Sequence, residues 1–437
     1  MRLRAWLWLV LSSFPALVLW GETRPRYGGT LNVDLSTTFS SLDATETPPV
    51  IWRLIGQTLV RINSRGEPEP LLASSWQREA EGRVWRFSLR SDVRFHDGEA
   101  LNAGNVAPIL LPVLKKLHND VAMTAGGSTL VIQAAGGLPN LPMELADPRA
   151  AIVRTSESNA FVGTGPFRPA NWEPGRRLTL AAFEDYWGGR PFLDSIIVSL
   201  GSSRATADVF DVPFASPRRI LPESAHIWQS EPWELLALAG QNVRPELAHA
   251  LALAIDRAPI VNVLAQRRGT PAFGLLPQWL SGYEFLFQSP LDLARAREIV
   301  SSLRPGALTI SYPANDSFAR AVAERIALNA RDAGIVLQVS TGAAGALRLT
   351  RCPLESPDGA ADLSNLAQCL GLPDHAAPLD SKPDRLYQAE RALLESNRVI
   401  PLAHLDSVYG LSPRVHYNDA GSQNPLTPHF DDFWVDP

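Results

Sequence analysis

The sequence predicts an α/β protein in two parts. Three observations point there: a strand of clean period-two alternation near residue 85, a change from strand-like to helix-like periodicity near residue 240, and a strand-helix-strand unit between 307 and 339. At 437 residues and 45% hydrophobic content the chain can bury more than one core. Its 36 prolines predict many ordered, turn-rich connections.

The N-terminus, "MRLRAWLWLVLSSFPALVLWG", sets Arg2 and Arg4 before an uncharged, mostly apolar run from Ala5 to Trp20. This is the pattern of a signal peptide, assigned to residues 1–21, and the run is short for a membrane span. An uncleaved anchor is the competing reading. Taking Arg2 and Arg4 from the 40 basic residues leaves 38 against 45 acidic, which gives no electrostatic case for nucleic acid.

In order, "GGTLNVDL" reads as a first strand with Leu31, Val33 and Leu35 on one face, and "VIWRLIGQTLVRI" as a helix running into a strand. "RVWRFSLR" turns Trp85, Phe87 and Leu89 inward, then "VRFHDGEALNAGNV" passes an Asp97-Gly98 turn into a helix. "WEPG" is a turn feeding "RRLTLAAF", a hairpin arm, and "FLDSIIVSL" is another strand. Beyond residue 240, "RPELAHALALAIDRAPIVNVLA" and "SPLDLARAREIVSSL" carry helical stripes, with Asp256 as an N-cap. "ALTISYP", "NDSFARAVAERIALNARDAG" and "IVLQV" form the βαβ unit, whose strands should be parallel. "DRLYQAERALLES" is a last helix, and "VIPLAHLDSVYGLSP" reads as a strand pair.

Several of these segments, in this order, resemble the extracellular solute-binding proteins of family 5, the oligopeptide, dipeptide and nickel type: "GGTLNVDLSTTFSSLDAT", "RVWRFSLRSDVRFHDGEALNAGNV", "GTGPFRPANWEPGRRLTLAAFEDYWGGRPFLDSIIV", "LAHALALAIDR", "LDLARAREIV" and "VIPLAHLDSVYGLSP". The resemblance implies a two-lobed periplasmic binding protein of type II-like architecture. Lobe I is placed at 27–235 plus 402–437 and lobe II at 236–401. It also implies a peptide or other small solute as ligand, ABC importer permease subunits as partners, no cofactor, a monomer, and a periplasmic or extracytoplasmic location. Relative to the family the accessory subdomain between Val106 and Phe161 is reduced. The stretch from Val339 to Arg385 is also short, and its "STGAAGALRLTRCPLESPDGAADLSNLAQCLGL" has no aromatic residue. A degenerate binder acting as a sensor or interaction module, and a metal-chelate binder, are the alternatives.

The residues offer little enzymatic chemistry. Gly163-Thr164-Gly165 lacks the third glycine, the Lys-Ser/Thr pair and the following helix of a phosphate loop. The eight histidines contain no i, i+4 pair, and His404 and Asp406 have no serine in a nucleophile-elbow context. We expect no enzyme and no metal site. Ligand-facing candidates are Trp279, Tyr283 and Phe285, as aromatic walls, and Asp358, Asp362, Arg348 and Arg351, as partners for the termini of a peptide. Cys352 and Cys369, seventeen positions apart, form a disulfide or two buried thiols.

Overall fold

The computed structural model describes residues 24–63, 67–156, 160–201, 206–214, 224–240, 243–314, 316–342, 345–354, 359–372, 382–417 and 428–436. The expected signal peptide lies outside them, and no described helix is long and apolar enough to cross a membrane.

Two large sheets organise the chain. The first has seven strands, with Thr30–Leu35 central and parallel to Ser195–Leu200 and Val209–Asp211. The expected arm is there: Phe167–Glu173 pairs antiparallel with Arg177–Ala182 around a turn in which Gly175 takes φ +70°. Leu31, Val33 and Leu35 bury against the Pro49–Ile55 helix and the C-terminal Phe430 and Phe433. Beside it stands a four-stranded sheet in which Val84–Leu89 is interior. Its Trp85 and Phe87 pack with Val106, Leu110 and Leu114 of the Ala103–Leu117 helix.

The second large sheet has six strands and is covered on both faces. Along Glu234–Gly240, Leu236 and Leu238 enter one core, built with the helices Pro245–Ala254, Leu293–Leu303 and Ser317–Asp332. Leu235, Ala237 and Ala239 enter the other, built with Gly359–Leu370 and Pro383–Glu395. A strand buried on both faces needs apolar side chains throughout, which explains its unbroken "LLALA". The βαβ unit appears as Leu308–Tyr312, Ser317–Asp332 and Leu337–Thr341, with parallel strands. Asp256 is not the expected N-cap: the next helical turn, Ile260–Leu264, is a π-helix that starts from Pro259 without a side-chain cap, and Asp256 accepts from the Ala258 amide at 3.1 Å in the turn before it.

A second expectation is corrected. "VIPLAHLDSVYGL" is not a strand pair: Val399–Leu405 joins the six-stranded sheet beside Glu234–Gly240, whereas Val408–Leu411 joins the seven-stranded sheet between Val209–Asp211 and His226–Gln229. The chain passes from one sheet to the other at Asp406–Ser407. Asp406 is buried there, held by Gln229 and Arg268, so the two strands separate instead of folding back on each other.

Gly163-Thr164-Gly165 is a joint. A Cβ on Gly163 or Gly165 would run into the Ile55 or Leu54 carbonyl. His96 grips the same turn: its Nδ1 accepts from the Gly163 amide at 3.1 Å, so its Nε2 carries the proton donated to the Gly165 carbonyl at 3.0 Å. Burial lowers the His96 pKa to about 4, which keeps this neutral tautomer.

Candidate functional site

At the end of the six-stranded sheet, on the face that carries Leu236 and Leu349, a cavity of about 250 Å³ opens among Glu234, Leu236, Pro313, Asp316, Ala319, Leu349, Thr350 and Arg351. Period-two geometry brings its charged groups together. Glu234 begins its strand two residues before Leu236, and Arg351 lies two after Leu349 on the antiparallel neighbour Leu347–Pro353. Asp316 comes from the loop after Leu308–Tyr312. One of its oxygens accepts the Ala319 amide at 2.8 Å and caps the Ser317–Asp332 helix, while the other meets Arg351 Nη2 at 3.2 Å.

Arg351 also contacts Glu234 at 3.5 Å, so one cation serves two carboxylates. Burial raises the Glu234 pKa, against the pull of Arg351, and Asp316 adds to the rise. Arg351 is 37% exposed and Glu234 and Asp316 are 23% and 17% exposed. The cavity therefore presents one excess negative charge and an accessible guanidinium side by side, between apolar walls. An ammonium can take a carboxylate here and a carboxylate can take the guanidinium.

The other candidates fall elsewhere. Arg348 donates to the Cys369 carbonyl at 3.0 Å. Asp362 is buried in the Gly359–Leu370 helix, and Asp358 lies outside the described residues. Tyr283 is buried against Phe287 and Tyr387 and donates to Glu390 at 2.8 Å; Trp279 Nε1 donates to the Pro232 carbonyl at 2.7 Å; Phe285 is exposed. Of the six that are described, only Arg351 lines the cavity. Cys352 and Cys369 form a disulfide that ties the Leu347–Pro353 strand to the Gly359–Leu370 helix, next to Arg351.

Two further features do not form a site. A cavity of about 340 Å³ is lined by Thr38, Phe39, Ser40, Glu46 and Gly175. Its one carboxylate already accepts from the amides of Ser40 and Ser41 at 3.0 Å each. His429, Asp431 and Asp432 bring ligand-type atoms within 4.8 Å of one another. The Arg53 guanidinium acts on Asp431 and His429 at this spot and opposes a second cation, so no metal is assigned. The group has no helical i, i+4 signature in the sequence, because Phe430–Asp432 is a 3-10 turn.

Two sheets with helical cover, joined by short crossings and holding a charged cavity near the junction, describe a two-lobed binding protein. The family model "Bacterial extracellular solute-binding proteins, family 5 Middle" matches residues 67–210. The nickel-binding protein NikA of Staphylococcus aureus is 29% identical over 39% of this chain and 37% of its own length. The dipeptide-binding protein of Escherichia coli is 23% identical over 71% of this chain and 69% of its own. The periplasmic binding protein DppA of Helicobacter pylori, solved with the peptide STSA, superposes with a TM-score of 0.78 at 18% identity, covering 94% of this chain and 99% of that one. The resemblance to family 5 read from the sequence is thereby shown, with its two-lobed fold. Solute-binding proteins of that family are non-enzymatic binders. In three curated relatives the sequence match spans 37%, 59% and 41% of their length, less than two thirds of each.

Proposed function

We propose that the protein is an exported, non-enzymatic solute-binding protein that captures a small peptide-like zwitterion between two lobes and delivers it to the permease of an ABC importer. Lobe I is built on the seven-stranded sheet, within the expected 27–235 plus 402–437, and lobe II on the six-stranded sheet, whose strands Glu234–Gly240 and Val399–Leu405 run past the expected 236–401 at both ends. The observation that carries the reading is the trio Glu234, Asp316 and Arg351 around one cavity. A free ammonium would be held by Asp316 and Glu234, and a free carboxylate by Arg351. Relatives named for dipeptide and glutathione binding support this class of solute.

A thermal-shift screen of the mature protein against di- to pentapeptides tests it. A solute at 100 times its Kd should add about 2.7 kcal/mol of stability. If no peptide stabilises the protein at millimolar concentration, the peptide assignment fails. The match to a nickel-binding protein motivates a nickel-histidine arm in the same screen, and stabilisation by that chelate alone would replace the peptide reading with the chelate reading.

A further inference from the structure

We propose that Arg268 is the positioning residue of lobe closure, the one side chain that makes the segments joining the two sheets turn as a single hinge; this rests on the two-lobe reading above. One described segment reaches from the first sheet into the core of the second, and two join the sheets. Val212 to Phe214 leads from the Val209–Asp211 strand to a phenyl ring in the core of the six-stranded sheet. Ser230 to Trp233 leads from His226–Gln229 to Glu234–Gly240. Asp406 and Ser407 lead back from Val399–Leu405 to Val408–Leu411.

The second and third segments are zipped together: the Ser407 amide donates to Ser230 Oγ at 2.8 Å, the Ser230 amide to the Ser407 carbonyl at 2.9 Å, and Trp233 Nε1 to Ser407 Oγ at 2.9 Å. The first runs beside the end of the third: the Val212 amide donates to the carbonyl of Val408, the first residue of the strand that follows it, at 2.8 Å. Arg268 links the two. Its side chain is 12% exposed. Nη1 donates to the Val212 carbonyl, Nη2 to the Asp406 carbonyl at 3.2 Å, and Nε to the Asp406 carboxylate at 3.3 Å. The guanidinium lies 4.1 Å from the centre of the Phe214 ring, which stacks on Phe318 at 4.7 Å. The other oxygen of Asp406 accepts from Gln229 Nε2 at 2.7 Å, at the start of the second segment.

One planar cation thus holds the first and third segments directly and the second through Asp406. Guanidinium is suited to this because its donors are fixed in a plane and reach two carbonyls and a carboxylate together, which an ammonium on a flexible stem does not do. Arg268 also acts electrostatically on Glu234, so the hinge and the solute cavity share a charge.

The test needs no solute. Nitroxide labels on cysteines introduced at Arg177, an exposed residue at the start of the Arg177–Ala182 strand of the seven-stranded sheet, and at Leu328, exposed on the Ser317–Asp332 helix, report the distance between lobes by double electron-electron resonance, with the native disulfide left oxidised. Arg268→Gln and Asp406→Asn should broaden the distance distribution by at least about twofold, as expected when hinge segments move independently, with far- and near-ultraviolet circular dichroism unchanged. Arg268→Lys should restore part of the width, which loss of packing alone would not predict. A folded Arg268→Gln protein with wild-type width overturns the proposal. Should Arg268→Gln fail to fold, Gln229→Ala removes only the link to the second segment and should give a smaller broadening; wild-type width there also overturns it. A null peptide screen would leave these widths untouched, so failure of the solute reading and failure of the hinge reading are separable.

Discussion

Glu234 and Glu390 belong to the same half of the molecule, and burial raises the pKa of both, yet their surroundings differ. Glu390 has no exposed surface, and its carboxylate accepts from the Leu275 amide at 2.5 Å, the Leu276 amide at 3.2 Å and the Tyr283 hydroxyl at 2.8 Å. Burial still holds its pKa up at about 7. Glu234 faces a cavity, is partly exposed and shares the Arg351 guanidinium with Asp316. A perturbed carboxyl therefore marks a binding site only where space and unused charge accompany it; where neutral donors fill every valence, it marks a core.

The largest effect expected from breaking this contrast is at Glu390. Glu390→Ala would strand two amides and a buried hydroxyl, a loss of about 3–5 kcal/mol in denaturant unfolding. Solute affinity of the molecules that remain folded should stay near wild type. A variant that unfolds with less than about 1 kcal/mol of loss would show that the network is not the structural tie described.

Next in size is the disulfide. It closes a loop across 17 positions, and replacing both Cys352 and Cys369 by Ala should cost about 3 kcal/mol in the chain-entropy picture. Because the bond sits next to Arg351, this loss should come with weaker solute binding, which Glu390→Ala should not show. Equal affinity in the disulfide-free and parent proteins would separate the brace from the cavity.

Much of this architecture was legible locally, because strand alternation and helical stripes report one face against one core. Trp85 and Phe87, the hairpin turn at Gly175, and the Leu308–Thr341 unit all stand where their periodicity puts them. Pairing partners were less legible. "VIPLAHLDSVYGL" looks like two strands of one hairpin, and what separates them lies far off in sequence: their partners in two different sheets, and the buried Arg268–Asp406 contact, 138 positions apart. The site was legible in part. Arg351 was one of four charges read from the short segment, with nothing in the sequence to set it above Arg348, Asp358 or Asp362, while Glu234 heads an apolar run with no alternation and Asp316 looks like an ordinary helix cap. Tyr283 read as a pocket wall because aromatic content carries no direction; in the fold its hydroxyl turns inward to Glu390.

The pH dependence separates the two carboxylates further. Glu390 has its pKa raised from 4.5 to about 7, so the folded protein holds a proton that the unfolded chain has released. Its contribution is complete below pH 4.5 and lost as pH rises through 7. His404 donates from Nε2 to the Leu275 carbonyl at 3.0 Å, and its pKa is lowered by burial from 6.5 to about 4. Its contribution is complete above pH 6.5 and lost as pH falls through 4. The two oppose each other across the same window. Glu390→Gln should therefore gain on the parent by about 2–3 kcal/mol between pH 4.5 and pH 7.5, measured as the difference of unfolding free energies. A difference that does not change with pH would mean that Glu390 ionises as it does in the unfolded chain.

The smallest effect on folding should be at Arg351. Its ion pairs are partly exposed, and such pairs contribute about 0–1 kcal/mol, so Arg351→Ala should unfold nearly as the parent does. The same substitution should weaken solute binding by at least about tenfold, because it removes the guanidinium and leaves two carboxylates facing each other across the cavity. Arg351→Lys keeps the charge but loses the planar pair of donors, and should fall between. The contrast is sharpest when read together with Glu390→Ala: one residue is needed for folding and not for binding, the other for binding and not for folding. An Arg351→Ala protein that binds its solute with unchanged affinity would move the site away from Glu234 and Asp316, even with the fold and the hinge as described.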